Sequence, residues 1–169
     1  ALAHYLDHGT IVIGYDARQS SPSLRDALVQ GLKDHGSDVI DISQCTSPEL
    51  YWAINHFDAA GGVMITASHN PPEYNGLKLC SAHAEPIDAE TGLKDLYELT
   101  NDLPDQPARQ GRYNHEDTRD DYVAFIHGLV DPDALSENHI VFDAGNGVAG
   151  PTVKAVYDEL PVEYDKLYM

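Results

Sequence analysis

G-V-M-I-T-A-S-H-N-P-P-E-Y-N-G-L-K, residues Gly62 to Lys78, decides how this chain folds. Its first four residues are a short apolar run, partly β-branched, that reads as a buried strand. The strand delivers Thr66 to Pro72 at its C-terminal end, where open α/β sheets place their chemistry. Pro71 and Pro72 lack amide protons and hold fixed φ, so they end the strand and stiffen the loop behind Ser68. A stiff loop presents its serine in one orientation. Asn70 offers donors and an acceptor, His69 is of the residue type that exchanges protons near neutral pH, and Lys78 brings positive charge after the Asn75-Gly76 turn. A serine hydroxyl is a weak nucleophile without an adjacent base or cations that stabilise a phosphoryl group in flight, and this segment holds candidates for both.

Strands and helices alternate on either side of that segment. Before it come a strand over Thr10 to Gly14, a helix over Ser23 to His35 closed by Gly36, and a strand over Val39 to Ile42. A helix opened by Ser47-Pro48-Glu49 then runs to about His56, with Leu50, Ala53, Ile54 and Phe57 on one face. After it, Gly76 to Ser81 reads as a strand and Asp88 to Leu99 as a helix. The pattern predicts an α/β fold: a mixed, mostly parallel sheet flanked by helices, followed by an incomplete second α/β domain of the same kind. The Pro-rich, polar stretch between Asn101 and Gly111 marks the boundary, giving domains at 1–113 and 114–169. The second domain should contain a helix over Thr118 to Leu129, a strand over Ile140 to Phe142, a glycine loop, a helix from Thr152 to about Glu159 and a strand over Val162 to Leu167. That is one βαβ unit without sheet neighbours, so an exposed apolar face and self-association through it are expected.

Composition narrows the function classes. A chain of 169 residues, 42% hydrophobic, can bury one sizeable core, or a domain and part of another. No run approaches the ~20 apolar residues that span a bilayer, and no signal-peptide pattern opens the chain. No membrane partner and a cytoplasmic setting are therefore expected. Cys45 and Cys80 lie far apart without metal spacing and read as small buried fillers. The formal charge of −18, from 28 acidic against 10 basic residues, argues against a nucleic-acid partner. It also opposes an anionic sugar phosphate at long range, so cations near Ser68 must act at short range. The nine histidines include no H-E-x-x-H motif, and apart from His69 they are assigned to surface or core packing. Gly145-x-Gly147-x-x-Gly150, with Asp165 beyond it, satisfies the loose dinucleotide pattern. Beside the serine loop, a tight strand-to-helix turn is the better reading.

The stretch from Thr66 to Gly76 resembles the active-site serine loop of the α-D-phosphohexomutases, in the phosphomannomutase/phosphoglucomutase branch. Gly14 to Pro22, G-Y-D-A-R-Q-S-S-P, is similar to the G-x-D-x-R-x-S-S segment of the family's first domain. Ile140 to Gly150 resembles the strand and glycine loop near the start of its second domain. The three segments stand in the family's order, and the likeness covers essentially the whole chain. It implies an isomerase that moves phosphate between the 1- and 6-hydroxyls of a hexose, mannose or glucose, through a phosphoserine. A hexose 1,6-bisphosphate would serve as intermediate and activator, a hexose phosphate as substrate and Mg²⁺ as cofactor.

Carried over residue by residue, Ser68 would be the phosphoserine and, through its phosphate, a metal ligand. Lys78 would transfer a proton or stabilise charge beside the reacting hydroxyl. His69 would act with Ser68, and with Asn70 it would shape the phosphate site. Arg18 is a candidate for the substrate phosphate and for support of the loop, with an ion pair to Asp16 or Asp26 as the purely structural alternative. Such roles suit phosphoryl transfer, which is mostly positioning and electrostatic stabilisation of oxygens. The chain opens at Ala1-Leu2-Ala3-His4-Tyr5-Leu6, similar to the end of the family's first helix, without the preceding Y-D-I-R-G. It contains no D-G-D-x-D-R metal loop and no counterpart of the third and fourth domains, so by itself it is expected to lack mutase activity. Two alternatives remain open: a phosphoglucosamine mutase relative, against which Pro72-Glu73-Tyr74-Asn75 counts, and a non-catalytic phosphate-binding or assembly module.

Overall fold

The computed structural model describes residues 1–103, 109–131, 135 and 139–169. They form two compact units, Ala1–Glu116 and Asp117–Met169. In the first, β1 (Ile11–Tyr15), β2 (Val39–Gln44), β3 (Gly61–Ile65), β4 (Leu77–Ser81) and β5 (Tyr113–His115) make one sheet in the order β4-β3-β1-β2-β5. Only the β3–β4 pairing is antiparallel among these. Four α-helices accompany them: α1 (Leu2–Tyr5), α2 (Ser21–Asp34), α3 (Ser47–His56) and α4 (Leu93–Asn101). The mixed, mostly parallel sheet is the one the alternating pattern predicts.

The central strands are apolar throughout because helices cover both faces of the sheet. Ile11, Ile13, Val63 and Ile65 point to one face and pack with Leu2, Ala3 and Leu6 from the α1 region and Leu32 of α2. Val12 and Met64 point to the other and pack with Leu50, Ala53 and Ile54 of α3. Leu50 and Ile54 are fully buried, so truncating either to alanine should cost roughly 2–5 kcal/mol. Helix α3 starts where a capping box forms: Thr46 Oγ1 accepts the Glu49 N–H and Glu49 Oε2 accepts the Thr46 N–H, each at 3.4 Å. Gly62 lets α3 lie close on β3, since a Cβ there would stand 2.6 Å from Ile54 Cδ1.

Two expectations are corrected. The helix predicted from Asp88 begins only at Leu93. Asp88 Oδ1 instead accepts the N–H groups of Glu90 and Thr91 at 2.9 and 3.1 Å, and Gly92 follows at φ 143°, outside helical geometry. The second correction is β5, which the sequence reading omits. Tyr113 OH donates to Asp41 Oδ2 at 2.9 Å, Ser43 Oγ lies 2.9 Å from His115 Nε2, and Glu116 N donates to Asp41 O, so the compact unit runs to Glu116. Asp41 is fully buried and also receives Arg25 Nη1 at 2.5 Å. Arg112 and Arg109 bind Asp38 at the start of β2, and the Arg112 hydrogen bonds hold the Asp38 carboxyl down at about 2. The linker expected over 101–111 lies partly outside the described residues.

Three histidines gather where α1 meets the end of α2. His4 Nε2 lies 3.2 Å from His35 Nδ1, and the His8 ring stands edge-on to His4 at 4.5 Å. Burial, then the neighbouring His8 and His35, push the His4 pKa down. Among the described residues no group of three or more His, Cys, Asp or Glu is arranged to hold a metal ion.

The second unit contains α5 (Arg119–Gly128), β6 (His139–Asp143), α6 (Ala149–Tyr157) and β7 (Glu163–Leu167), with β6 and β7 paired in parallel. Phe142, Tyr157 and Tyr164 pack ring against ring at 4.5–5.8 Å. Val141 and Leu167 remain 56% and 45% exposed, the open apolar surface expected of a two-stranded sheet. No helix among the described residues is long and apolar enough to cross a membrane.

Candidate active site

The serine loop leaves the C-terminal end of β3 as expected, and Thr66 N donates to Gly76 O at 2.9 Å to close its base. Thr66 and Ala67 are buried, whereas Ser68, His69 and Asn70 are exposed. Ser68 sits at φ 55°, a left-handed conformation that costs a non-glycine residue about 1–2 kcal/mol. Contacts from both sides hold it there: Ser68 N donates to Thr66 Oγ1 at 2.9 Å, and Ser68 O accepts Arg18 Nη2 at 2.9 Å. The hydroxyl is turned outward with Oγ 2.9 Å from His69 Nδ1. With the ring proton on Nε2, His69 Nδ1 accepts a hydrogen bond from the serine hydroxyl, the arrangement of a nucleophile beside a base.

Arg18 is bound to the backbone of the serine loop. Its Nη1 donates to Pro71 O and Tyr74 O at 2.8 and 3.0 Å, and its Nη2 to Ser68 O and Asn70 O at 2.9 and 2.8 Å. Nε pairs with Asp16 Oδ2 at 3.1 Å. All five guanidinium N–H groups are thus engaged, which leaves none for an incoming phosphate in this arrangement. Of the two acids considered as partners, Asp16 forms the ion pair, while Asp26 lies against Arg25.

Asn70 Nδ2 donates one of its two N–H groups to Ala67 O at 2.9 Å, which leaves the second N–H and the side-chain oxygen to face a ligand. Lys78 stands on β4 opposite Met64, two positions beyond the closing pair. Among the described residues it makes no hydrogen bond or ion pair. Its charge is felt at Cys80, where burial pushes the thiol pKa up and Lys78 partly opposes the shift. The structure therefore places Ser68, His69 and Asn70 on one loop with Arg18 bound against its backbone, and Lys78 as an exposed ammonium on the adjoining strand.

Sequence reasoning passed over Asp16, Ser21, Thr66 and the Asn75 side chain as members of the site. Asn75 Nδ2 donates to both Ser20 Oγ and Ser21 Oγ at 2.9 Å, and Ser21 Oγ donates to Asp16 Oδ1 at 2.7 Å. The motif G-Y-D-A-R-Q-S-S-P held these residues, yet nothing in its spacing says that it folds against a loop some fifty positions later. The glycine loop of the second unit has a different character. Its Gly145, Asn146 and Gly147 amides donate to Asp143 Oδ1, Tyr168 O and Ala144 O, and Asp165 is bonded to His139.

Comparison with known proteins identifies the family and the fold. Residues 1–105 match the family model for phosphoglucomutase/phosphomannomutase, alpha/beta/alpha domain I. A phosphomannomutase of Salmonella typhimurium is 40% identical over 176 aligned residues, which cover 99% of this chain and 39% of that protein. A protein of Xanthomonas campestris pv. campestris described as phosphohexose mutases is 41% identical over 171, covering 99% and 38%. The crystal structure of a phosphoglucomutase/phosphomannomutase family protein from Burkholderia thailandensis superposes with a TM-score of 0.82 at 31% identity, over 94% of this chain and 35% of that one. The chain thus spans well under half the length of these relatives.

Proposed function

This chain belongs to the phosphoglucomutase/phosphomannomutase family, and on that premise we propose that it carries the phosphoryl-bearing serine of an enzyme interconverting hexose 1-phosphate and hexose 6-phosphate. The observation that carries the reading is Ser68: an exposed hydroxyl at the C-terminal end of a buried strand, 2.9 Å from a histidine nitrogen, on a loop whose backbone is gripped from behind. In the forward step the Ser68 Oγ–phosphorus bond breaks as a sugar hydroxyl oxygen bonds to phosphorus, giving a hexose 1,6-bisphosphate. The sugar hydroxyl proton passes to Lys78 or His69 as acceptor or balancing charge, and Ser68 Oγ leaves as the hydroxyl, so one proton moves to Ser68 for each phosphoryl group that moves to the sugar. In the return step Ser68 Oγ takes the other phosphoryl group and releases the isomeric monophosphate. Asn70 orients the phosphate by donating its remaining side-chain N–H, and Arg18 fixes the loop that carries the nucleophile. Mannose and glucose phosphates are the proposed substrates, because relatives named phosphomannomutase align over nearly all of the chain.

Mg²⁺ is the cofactor implied by the family. The described residues do not fit it on their own, since no three ligating side chains converge among them and a Ser68 phosphate would add one oxygen to a site that wants about six. No step above runs through it. The test is an intact-mass and peptide-mapping measurement on the full-length gene product from its own cells, before and after incubation with glucose 1,6-bisphosphate. One phosphoryl group on the Ser68 peptide is expected. Its absence both before and after incubation would overturn the proposal.

A further inference from the structure

The serine loop is held at three points, and one residue, Asp16, joins all three through its backbone N–H and its carboxylate. Asp16 N donates to Ile65 O at 3.0 Å, at the last residue of the strand before the loop. Asp16 Oδ1 accepts the Arg18 N–H at 3.0 Å and Oδ2 accepts Arg18 Nε at 3.1 Å, so Asp16 aims the guanidinium that binds the carbonyls of Ser68, Asn70, Pro71 and Tyr74. At the far end Asn75 Nδ2 donates to Ser21 Oγ, whose hydroxyl donates in turn to Asp16 Oδ1 at 2.7 Å.

This chain of bonds has one direction. An ionised carboxylate only accepts, so the Ser21 proton must lie toward Asp16 and the serine oxygen must face a donor. Asn75 supplies that donor in one amide orientation, which its own Oδ1 fixes by accepting Gly76 N at 2.8 Å. Ser21 is fully buried, so water cannot replace either partner. The four carbonyl oxygens that converge on Arg18 would otherwise repel an anionic phosphoryl group, and the guanidinium neutralises them.

We infer that Asn75, Ser21 and Asp16 form a positioning relay that sets the orientation of Ser68 for phosphoryl transfer, with Asp16 at its centre. The inference rests on the phosphoryl-transfer reading above. None of the three touches the reacting atoms. They act by fixing the loop at its start, middle and end, which holds Ser68 at its positive φ with Oγ outward.

The test uses Asn75→Ala and Ser21→Ala separately, the second guarding against a folding failure of the first. In the full-length gene product, kcat with glucose 1-phosphate should fall about 10- to 100-fold, the loss that follows from misplacing a reacting group by about 1 Å, with KM within about twofold. In the 169-residue chain, the backbone amide NMR signals of Ser68 and His69 should shift in both variants. A purely structural role would lower the melting temperature while leaving kcat per folded enzyme and those signals in place, and that result overturns the relay. If the wild-type gene product turns over neither glucose nor mannose 1-phosphate, the functional reading falls. The Ser68 and His69 signals then decide the relay alone: displaced signals support it and unmoved signals overturn it.

Discussion

Two loops in this protein leave the C-terminal end of a parallel strand, and they satisfy their backbones in opposite ways. The serine loop after β3 has its carbonyls bound by Arg18, a residue some fifty positions earlier in the chain. Because a distant segment meets these backbone groups, the hydroxyl, imidazole and amide of Ser68, His69 and Asn70 stand exposed at the surface. The glycine loop after β6 closes on its own unit, with Gly145 and Asn146 both at φ 56° and three consecutive amides donating to Asp143, Tyr168 and Ala144. A loop braced from outside can present chemistry. A loop that turns its amides inward has the character of a tight turn, the reading favoured for its glycine spacing beside the serine loop.

The largest effect that separates the two loops is expected from Ser68→Ala. It should abolish phosphate uptake and lower turnover of the full-length gene product by at least about 1000-fold. Stability should change by less than about 1 kcal/mol, since alanine meets the same left-handed strain. Retained turnover would remove the serine loop from the chemistry. Arg18→Lys comes next. A lysine offers three donors from a point charge in place of a planar five-donor fork, so urea unfolding should show a loss of about 2–4 kcal/mol. An unchanged midpoint would mean that the outside brace contributes nothing.

In the glycine loop, Gly145→Ala should cost about 1 kcal/mol through its positive φ while leaving Ser68 phosphorylation intact. Loss of phosphorylation in that variant would break the contrast. The smallest effect concerns pH, and its sign differs between the units. Hydrogen bonding to Asp165 raises the His139 pKa above its usual 6.5. That contribution is therefore fully present below pH 6.5 and fades as pH rises through the folded value. Melting curves at pH 6 and pH 8.5 should show a slight loss in the wild type that His139→Gln removes, slight because these side chains are exposed. Asp38 in the first unit behaves in the opposite sense: its contribution is present above pH 3.8 and is lost as pH falls towards about 2.

Much of the fold was legible because its signals are local. The Gly62-Val63-Met64-Ile65 run, the proline pair and the Ser47-Pro48-Glu49 helix opening each act within a few residues, and β3, the serine loop and α3 stand where those signals put them. The start of α4 was misread because Asp88 can nucleate a helix or bind its own following amides, and the choice turns on Gly92. β5 was invisible because three exposed residues, Tyr113 to His115, carry no alternation. What makes them a strand is the buried Asp41 carboxylate more than seventy positions away.

By itself the sequence determined the alternating α/β plan, the stiff loop and the serine at its tip, since those follow from side-chain hydrophobicity, fixed proline φ and residue chemistry along a few positions. The tertiary structure alone decided that Arg18 braces the loop with all five donors, that Asp16 ties the loop's start, middle and end together, and that the second glycine loop turns its amides inward. Hydrogen-bond partners are assigned by which groups the fold brings within about 3 Å. Spacing along the chain does not encode that distance between segments fifty residues apart.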